Sequence, residues 1–187
     1  MTPWADLAAA VAKRISGERL AHVYRVLETA RGLAAQYGVD RAQADVAALL
    51  HDYAKAMPEA ELLVEARRRG LIIDPAEEKH PDLLHGAVAA AQLAEQRLVT
   101  DPAVLDAIHW HTTGRAGMSR LEMVIWLADY IEPGRAFPGL DEIRETADWD
   151  LERALLMALD HTIAYVLSRG SLLHVYTVHA RNWLLTR

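Results

Sequence analysis

A chain of 187 residues with 52% hydrophobic content, one Phe and no Cys can bury roughly 70% of its unfolded surface around a single core, while disulfides and thiolate metal ligands are excluded. The apolar residues are mostly Ala and Leu, and no long alternating Val/Ile/Thr run occurs, which favours helices over sheet. A net charge of −6 and a pI near 5.8 argue against the basic face that binding a phosphate backbone requires, so nucleic acid is not an expected partner.

In chain order, the first helix is expected from Trp4 to Ile15. The second runs from about Glu18 to Tyr37, with Leu20, Val23, Val26, Leu27, Ala30 and Leu33 at helical spacing and Gly38 as its stop. Asp40 and Gln43 form a capping-box pattern for a third helix, which would reach Lys55 before Pro58 opens the next. Glu59 to Arg69 reads as a charged amphipathic helix, with Arg67-Arg68-Arg69 as a solvated end closed by Gly70. Leu71 to His80 is expected to be a connection. A helix then begins near Pro81-Asp-Leu-Leu-His85-Gly and runs to about Arg97.

Asp101-Pro102 supplies an N-cap and a first-turn Pro for a short helix ending at His111-Thr-Thr-Gly114. Ser119 and Glu122 are a second capping box, opening Leu121 to Ile131 ahead of Pro133-Gly134. An apolar helix from about Leu151 to Leu167 and a final one from Val178 to Leu185 complete an all-α, single-domain bundle over residues 1–187. The motif-bearing core spans about 18–135, and the helices of 150–187 pack on it. No h-region and no apolar stretch of ~18 residues is present, so a soluble cytoplasmic protein without a membrane partner is expected; the oligomeric state is open, a homodimer included.

The chemistry lies in His22, His51-Asp52, His85, His111 and Asp129, each at or near an end of an expected helix. Burying an imidazole beside a carboxylate on a Leu/Ala face costs several kcal/mol, roughly 2–7, unless the polar groups are partnered. A shared cation removes that cost. Six N and O ligands suit two divalent ions, with Asp52 as the natural bridge, and two-metal sites favour hydrolysis of phosphate esters and anhydrides. His109 lies two residues before His111 and points elsewhere on a helix. His80, His161 and His179 read as surface or hydrogen-bonded residues, and Trp126, Trp149 and Trp183 as packing residues. Tyr130 and Phe137 lie close enough to Asp129 in sequence to meet a nucleotide.

The order of these residues resembles the HD superfamily of metal-dependent phosphohydrolases. More narrowly, Leu49-Leu-His-Asp-Tyr-Ala-Lys55, Leu83-Leu-His-Gly86, Trp110-His-Thr-Thr-Gly114 and Leu127-Ala-Asp-Tyr-Ile-Glu-Pro133 resemble the YqeK-type branch, the symmetrical dinucleoside tetraphosphate hydrolases. The resemblance covers nearly the whole chain, from about Leu20 to Asn182. It implies cleavage of diadenosine tetraphosphate to two ADP, with His22, His51, Asp52 and Asp129 as ligands of one iron-like ion. His85 and His111, with Asp52 bridging, would complete a second position or face the phosphates, so that Asp52, His85, His111 and Lys55 carry the catalysis. Manganese, cobalt or zinc would suit the same donors. Another HD reaction, such as 5′-nucleotide or phosphodiester hydrolysis, and a non-catalytic nucleotide or metal sensor are the competing readings.

A substrate with about four negative charges calls for cations in the cleft. Lys55 and Arg135 are the first choices, and Thr112 and Thr113 offer hydroxyls. Leu172-Leu-His-Val-Tyr-Thr177 and Ala180-Arg-Asn182 resemble the nucleotide-side segment of the family, which implies ADP contacts for His174, Thr177 and Asn182. The family's usual Pro near Val175 is absent here.

Overall fold

A computed structural model describes residues 2–187. Among these residues the chain forms eleven α-helices and no strand. They are α1 (Trp4–Ala12), α2 (Gly17–Tyr37), α3 (Arg41–Leu50), α4 (Glu59–Arg69), α5 (Pro75–Lys79), α6 (His85–Glu95), α7 (Pro102–Trp110), α8 (Arg120–Ile131), α9 (Leu140–Ala147), α10 (Leu151–Ser168) and α11 (Val175–Leu184), with a 3-10 turn at Pro81–Leu84. The expected all-helical class holds. Among the described residues no helix is long and apolar enough to cross a membrane.

The centre of the bundle is α8, buried nearly all round through Leu121, Met123, Val124, Ile125, Trp126, Leu127 and Ala128. It packs against α2, α7, α10 and α3. Its composition explains this position: a helix that is apolar on every face is stable only inside, and truncating a fully buried side chain such as Leu127 would cost ~2–5 kcal/mol. The small side chains Ala44, Ala47 and Ala48 of α3 are all fully buried, and α3 packs against α2 and α7.

The caps read from the sequence are present at α8, where Ser119 and Glu122 close a reciprocal box, and at α7, where Asp101 accepts from Ala103 N at 2.9 Å. At α3 only half of the expected box forms. Asp40 accepts from Gln43 N at 2.9 Å, but the Gln43 amide reaches away to Asp101 Oδ2 at 2.8 Å.

Three other expectations are corrected. The third helix stops at Leu50, and His51–Lys55 form successive turns. The reason is local: His51 Nδ1 lies 2.7 Å from Ala48 O, the carbonyl that a continuing helix would have given to the Asp52 amide. The expected connection Leu71 to His80 contains α5, opened by the box Asp74-Pro75-Ala76-Glu77, with Ala76 N on Asp74 Oδ1 at 2.8 Å and Asp74 N on Glu77 Oε2 at 3.1 Å. Between α8 and α10, in a stretch to which no element is assigned above, α9 is a strongly amphipathic helix with Leu140, Ile143 and Ala147 buried. The start of α11 moves to Val175 because His174 caps it, its Nδ1 accepting from Tyr176 N at 3.2 Å.

Candidate metal centre

Four helix ends and one turn inside α2 bring together the six residues singled out by the sequence. His22 is on the second turn of α2; His51 and Asp52 follow α3; His85 opens α6; His111 follows α7; Asp129 is in the last turn of α8. His51 is fully buried and Asp52 3% exposed. Asp52 lies at the middle. Its Oδ1 is 3.1 Å from His85 Nε2 and 4.0 Å from His111 Nε2, while its Oδ2 is 3.6 Å from His51 Nε2 and 3.8 Å from His22 Nε2. Asp129 Oδ1 is 3.1 Å from His22 Nε2.

The orientation of the rings decides what this cluster can do. His51 Nδ1 faces Ala48 O at 2.7 Å, His85 Nδ1 faces Asp82 O at 2.5 Å, and His111 Nδ1 faces Ile108 O at 2.7 Å. A carbonyl only accepts, so in each neutral ring the proton is on Nδ1 and Nε2 presents a lone pair. His22 Nδ1 meets a carboxylate instead, Glu132 Oε1 at 3.2 Å. All four Nε2 atoms therefore converge on the Asp52 and Asp129 carboxylates as acceptors facing acceptors. His85 Nε2 and His111 Nε2 are 3.0 Å apart, a contact between two lone pairs unless a proton or a cation lies between them. His22 Nε2 and His51 Nε2 are buried without any hydrogen-bond partner; the Asp129 oxygen near His22 is close without completing one.

Such an arrangement fits divalent cations. The sets His22, His51, Asp129 and His51, Asp52, His111 each offer ligand atoms within 4.8 Å of one another, and N/O donors of this kind suit several first-row ions. Protonation equilibria point the same way. Burial disfavours a charged Asp52, but His51, His85 and His111 outweigh it and hold the carboxyl far below the usual carboxylate range. Burial opposes ionisation of Asp129 too, and is overcome by His22, His51, His111 and Arg135. His111 is pushed down to about 3, by burial first and then by His85 and His51. Burial also works against a charged His22, yet Asp129, Glu132 and Asp52 raise its pKa above the ordinary value.

Partners outside the six residues keep the site in shape. Glu132, 2% exposed, is held by Arg25 Nε at 2.6 Å and Gly134 N at 2.6 Å while it orients His22. Arg19 Nη1 donates to Asp52 Oδ2 at 3.1 Å. Gly86 is required by close packing, since a Cβ there would come within 2.7 Å of His109 O and 3.1 Å of His111 Nδ1. Glu132 and Gly86 stand inside the motif strings quoted above, so their positions were visible; their work was not. Arg19 carries no sequence signal beyond its place one helical turn before His22.

A cleft of about 210 Å³ opens beside the cluster, lined by Lys55, Asp82, Leu83, His85, His111, Thr112, Trp126, Asp129, Tyr130 and Thr162. Lys55 and Thr112 are thus beside the site, although Thr112 Oγ1 also reaches Leu83 O at 3.3 Å. Arg135 binds Asp129 through Nη2 on Oδ1 at 2.8 Å and Nε on the carbonyl at 3.2 Å, on the rim and outside the cleft lining.

The remaining expected substrate contacts lie elsewhere. Thr113 is buried and donates to Gly114 O, Thr177 donates to Thr113 O at 3.0 Å, and His174 is occupied as a helix cap with Glu77 Oε1 3.3 Å from its Nε2. Asn182 is exposed on α11. His109 stacks on Trp110, with ring centroids 4.2 Å apart. His161 Nδ1 lies 2.6 Å from the Tyr130 hydroxyl. Trp126 packs inside as expected, whereas Trp149 is 69% exposed, a correction that follows from its place in the turn between α9 and α10.

Known proteins resemble this chain throughout its length. Residues 19–134 match the family model described as HD domain. A curated symmetrical bis(5'-nucleosyl)-tetraphosphatase from Bacillus subtilis is 38% identical over 95% of both chains. Its namesake from Halalkalibacterium halodurans is 38% identical over 94% of this chain and 93% of its own. A crystal structure from Clostridium acetobutylicum, described as a predicted HD superfamily hydrolase involved in NAD metabolism, superposes with a TM-score of 0.94 at 38% identity, covering 100% of this chain and 99% of that one. With six ligand-type side chains meeting in one buried cluster and relatives matched end to end, the chain belongs to the HD-domain family and, within it, to the group of the symmetrical bis(5'-nucleosyl)-tetraphosphatases.

Proposed function

We propose that this protein is a metal-dependent phosphoanhydride hydrolase that cleaves diadenosine tetraphosphate and related dinucleoside polyphosphates at the centre, giving two ADP. One observation carries the reading: four imidazole Nε2 atoms and two carboxylates converge in one buried cluster, in which His22 Nε2 and His51 Nε2 have no hydrogen-bond partner. The names of its relatives support the substrate.

In this reading His22, His51, Asp52 and Asp129 hold one divalent ion, and His85 and His111 with Asp52 hold a second or face the phosphates. Iron is the proposed resident, with manganese, cobalt or zinc as substitutes that the donor set accepts. Bound divalent metal would supply polarisation of a phosphoryl group and activation of water. The chain's own part is to hold and orient. Lys55 neutralises phosphate charge in the cleft, Thr112 directs a hydroxyl toward it, and Arg135 keeps Asp129 in place at the rim. The residues of about 18–135 act with the C-terminal helices as one unit, in which α10 packs against α8 and contributes Thr162 to the cleft.

The test is a product analysis. Protein supplied with iron or manganese and diadenosine tetraphosphate is expected to yield ADP as the sole nucleotide product, and elemental analysis of protein purified without added metal is expected to show bound divalent ion. AMP with ATP would refute central cleavage. Turnover confined to mononucleotides or cyclic nucleotides would move the protein to another HD reaction, and binding without turnover would make it a sensor.

A further inference from the structure

We infer that Arg19 is a phosphate-binding residue of this site, acting in addition to Lys55. The inference rests on the proposed hydrolysis of a polyphosphate and adds a residue to it. Arg19 and His22 are three residues apart on α2 and so share a face of that helix, which brings the guanidinium to the Asp52 carboxylate. There Arg19 Nη1 reaches Asp52 Oδ2 at 3.1 Å, on a carboxylate only 4% exposed, while the Arg19 side chain itself is 44% exposed.

The other guanidinium groups around the site are tied down, and Arg19 is not. Arg25 is held between Glu132 Oε2 at 2.6 Å and Glu18 Oε1 at 2.7 Å. Arg135 binds both the side chain and the carbonyl of Asp129. Arg144 is spread over the carbonyls of Ile131, Glu132 and Arg135 and the carboxylate of Asp141. Arg19 makes a single hydrogen bond, although a guanidinium has five donors in a fork that matches phosphate oxygens. Four donors on a half-exposed side chain remain available to a ligand.

Charge gives the direction of the change. Asp52 Oδ2 is also the oxygen that His51 and His22 approach. With that oxygen engaged by a divalent cation, the guanidinium loses most of its attraction for it and meets a like charge. A phosphate entering the site is then the stronger partner, and Arg–phosphate pairs are among the strong charge-assisted contacts. Lys55 lines the cleft, and Arg19, bound to Asp52, is not among its lining residues. Symmetrical cleavage requires two like halves to be held at once, and two cations meet that requirement where one would not.

The test uses the metal-loaded protein and two probes: a methylene-bridged, non-hydrolysable analogue of diadenosine tetraphosphate, and inorganic pyrophosphate. Calorimetry on Arg19→Ala is expected to show about a tenfold loss of affinity for both probes, in the range of a removed charged hydrogen bond, with metal content equal to that of wild type. Arg19→Lys is expected to recover part of the loss, since the charge returns without the fork. Undiminished probe affinity in Arg19→Ala would overturn the inference, and so would loss of metal, which would make Arg19 a positioner of Asp52. If wild type ignores the dinucleotide analogue but binds pyrophosphate in an Arg19-dependent way, the substrate reading fails while the role of Arg19 stands.

Discussion

On the side of the cluster formed by His51, His85 and His111, each imidazole is aimed by the main chain, through the carbonyl three residues earlier; on the side formed by His22 and Asp129, aiming is left to other side chains. The difference follows from where each residue lies. His51 and His111 occupy the C-caps of α3 and α7, and His85 follows a 3-10 turn, where carbonyls at i−3 are free to accept. His22 is inside α2, so its own helix offers it no free carbonyl. Its orientation comes from Glu132, 110 positions away, which Arg25 and Gly134 hold in turn. Main-chain aiming survives changes of side chain. Side-chain aiming can be lost in one substitution.

Asp52→Ala removes the carboxylate common to both sides and is expected to have the largest effect: metal content lost throughout and hydrolysis reduced to background, with helical circular dichroism retained. Wild-type turnover in that variant would dismiss the role assigned to Asp52. Glu132→Ala leaves both ligand sets intact but frees His22. The expected outcome is a ~10–100-fold loss in metal affinity or turnover, the usual cost of removing a residue that orients a ligand. Glu132→Gln should fall between that variant and wild type, because its amide oxygen still accepts from Nδ1. Equal metal titrations for all three proteins would show that His22 needs no such support.

Proton uptake by the metal-free protein separates the two sides without mutation. His22, its pKa raised by Asp129, Glu132 and Asp52 against the opposing effect of burial, should protonate at a pH above the ordinary 6.5. His111 should stay neutral until about pH 3. The linkage signs are opposite. The contribution of His22 to stability is complete below the unfolded value of 6.5 and is lost as pH rises through the folded one, whereas His111 costs stability as pH falls from 6.5 toward 3, where the unfolded chain binds more protons. Histidine C–H shifts followed by NMR would check the order, and a His111 that titrates near 6.5 would break the contrast. The smallest effect is expected from Ile108→Val. It should cost ~0.5–1.5 kcal/mol of stability by urea unfolding while metal affinity stays at the wild-type level, because His111 depends on the carbonyl of that residue and not on its side chain.

Much of this was legible along the chain. Residue types, their order and their relation to helix ends marked His22, His51, Asp52, His85, His111 and Asp129 as one set, and the capping patterns at Ser119 and Asp101 marked where α8 and α7 begin. The capping box Asp74-Pro75-Ala76-Glu77 is an equally local signal, and it marks the start of α5. Other features had no local signature. Nothing near His51 reveals that its ring would take the Ala48 carbonyl and stop α3, and nothing near Thr177 or His174 shows that their polar atoms would be spent on Thr113 and on the start of α11.

By itself, then, the order of residues determined an all-helical chain with its donors at helix ends, because periodicity and capping act over a few neighbouring positions and are read from those positions alone. The tertiary structure decided which lone pairs meet, which nitrogen of each ring carries the proton, and that Glu132 serves His22 while Arg19 waits on Asp52. Those outcomes depend on ångström-scale distances between groups far apart in the chain, and only the packing of α2, α3, α7 and α8 around one another sets such distances.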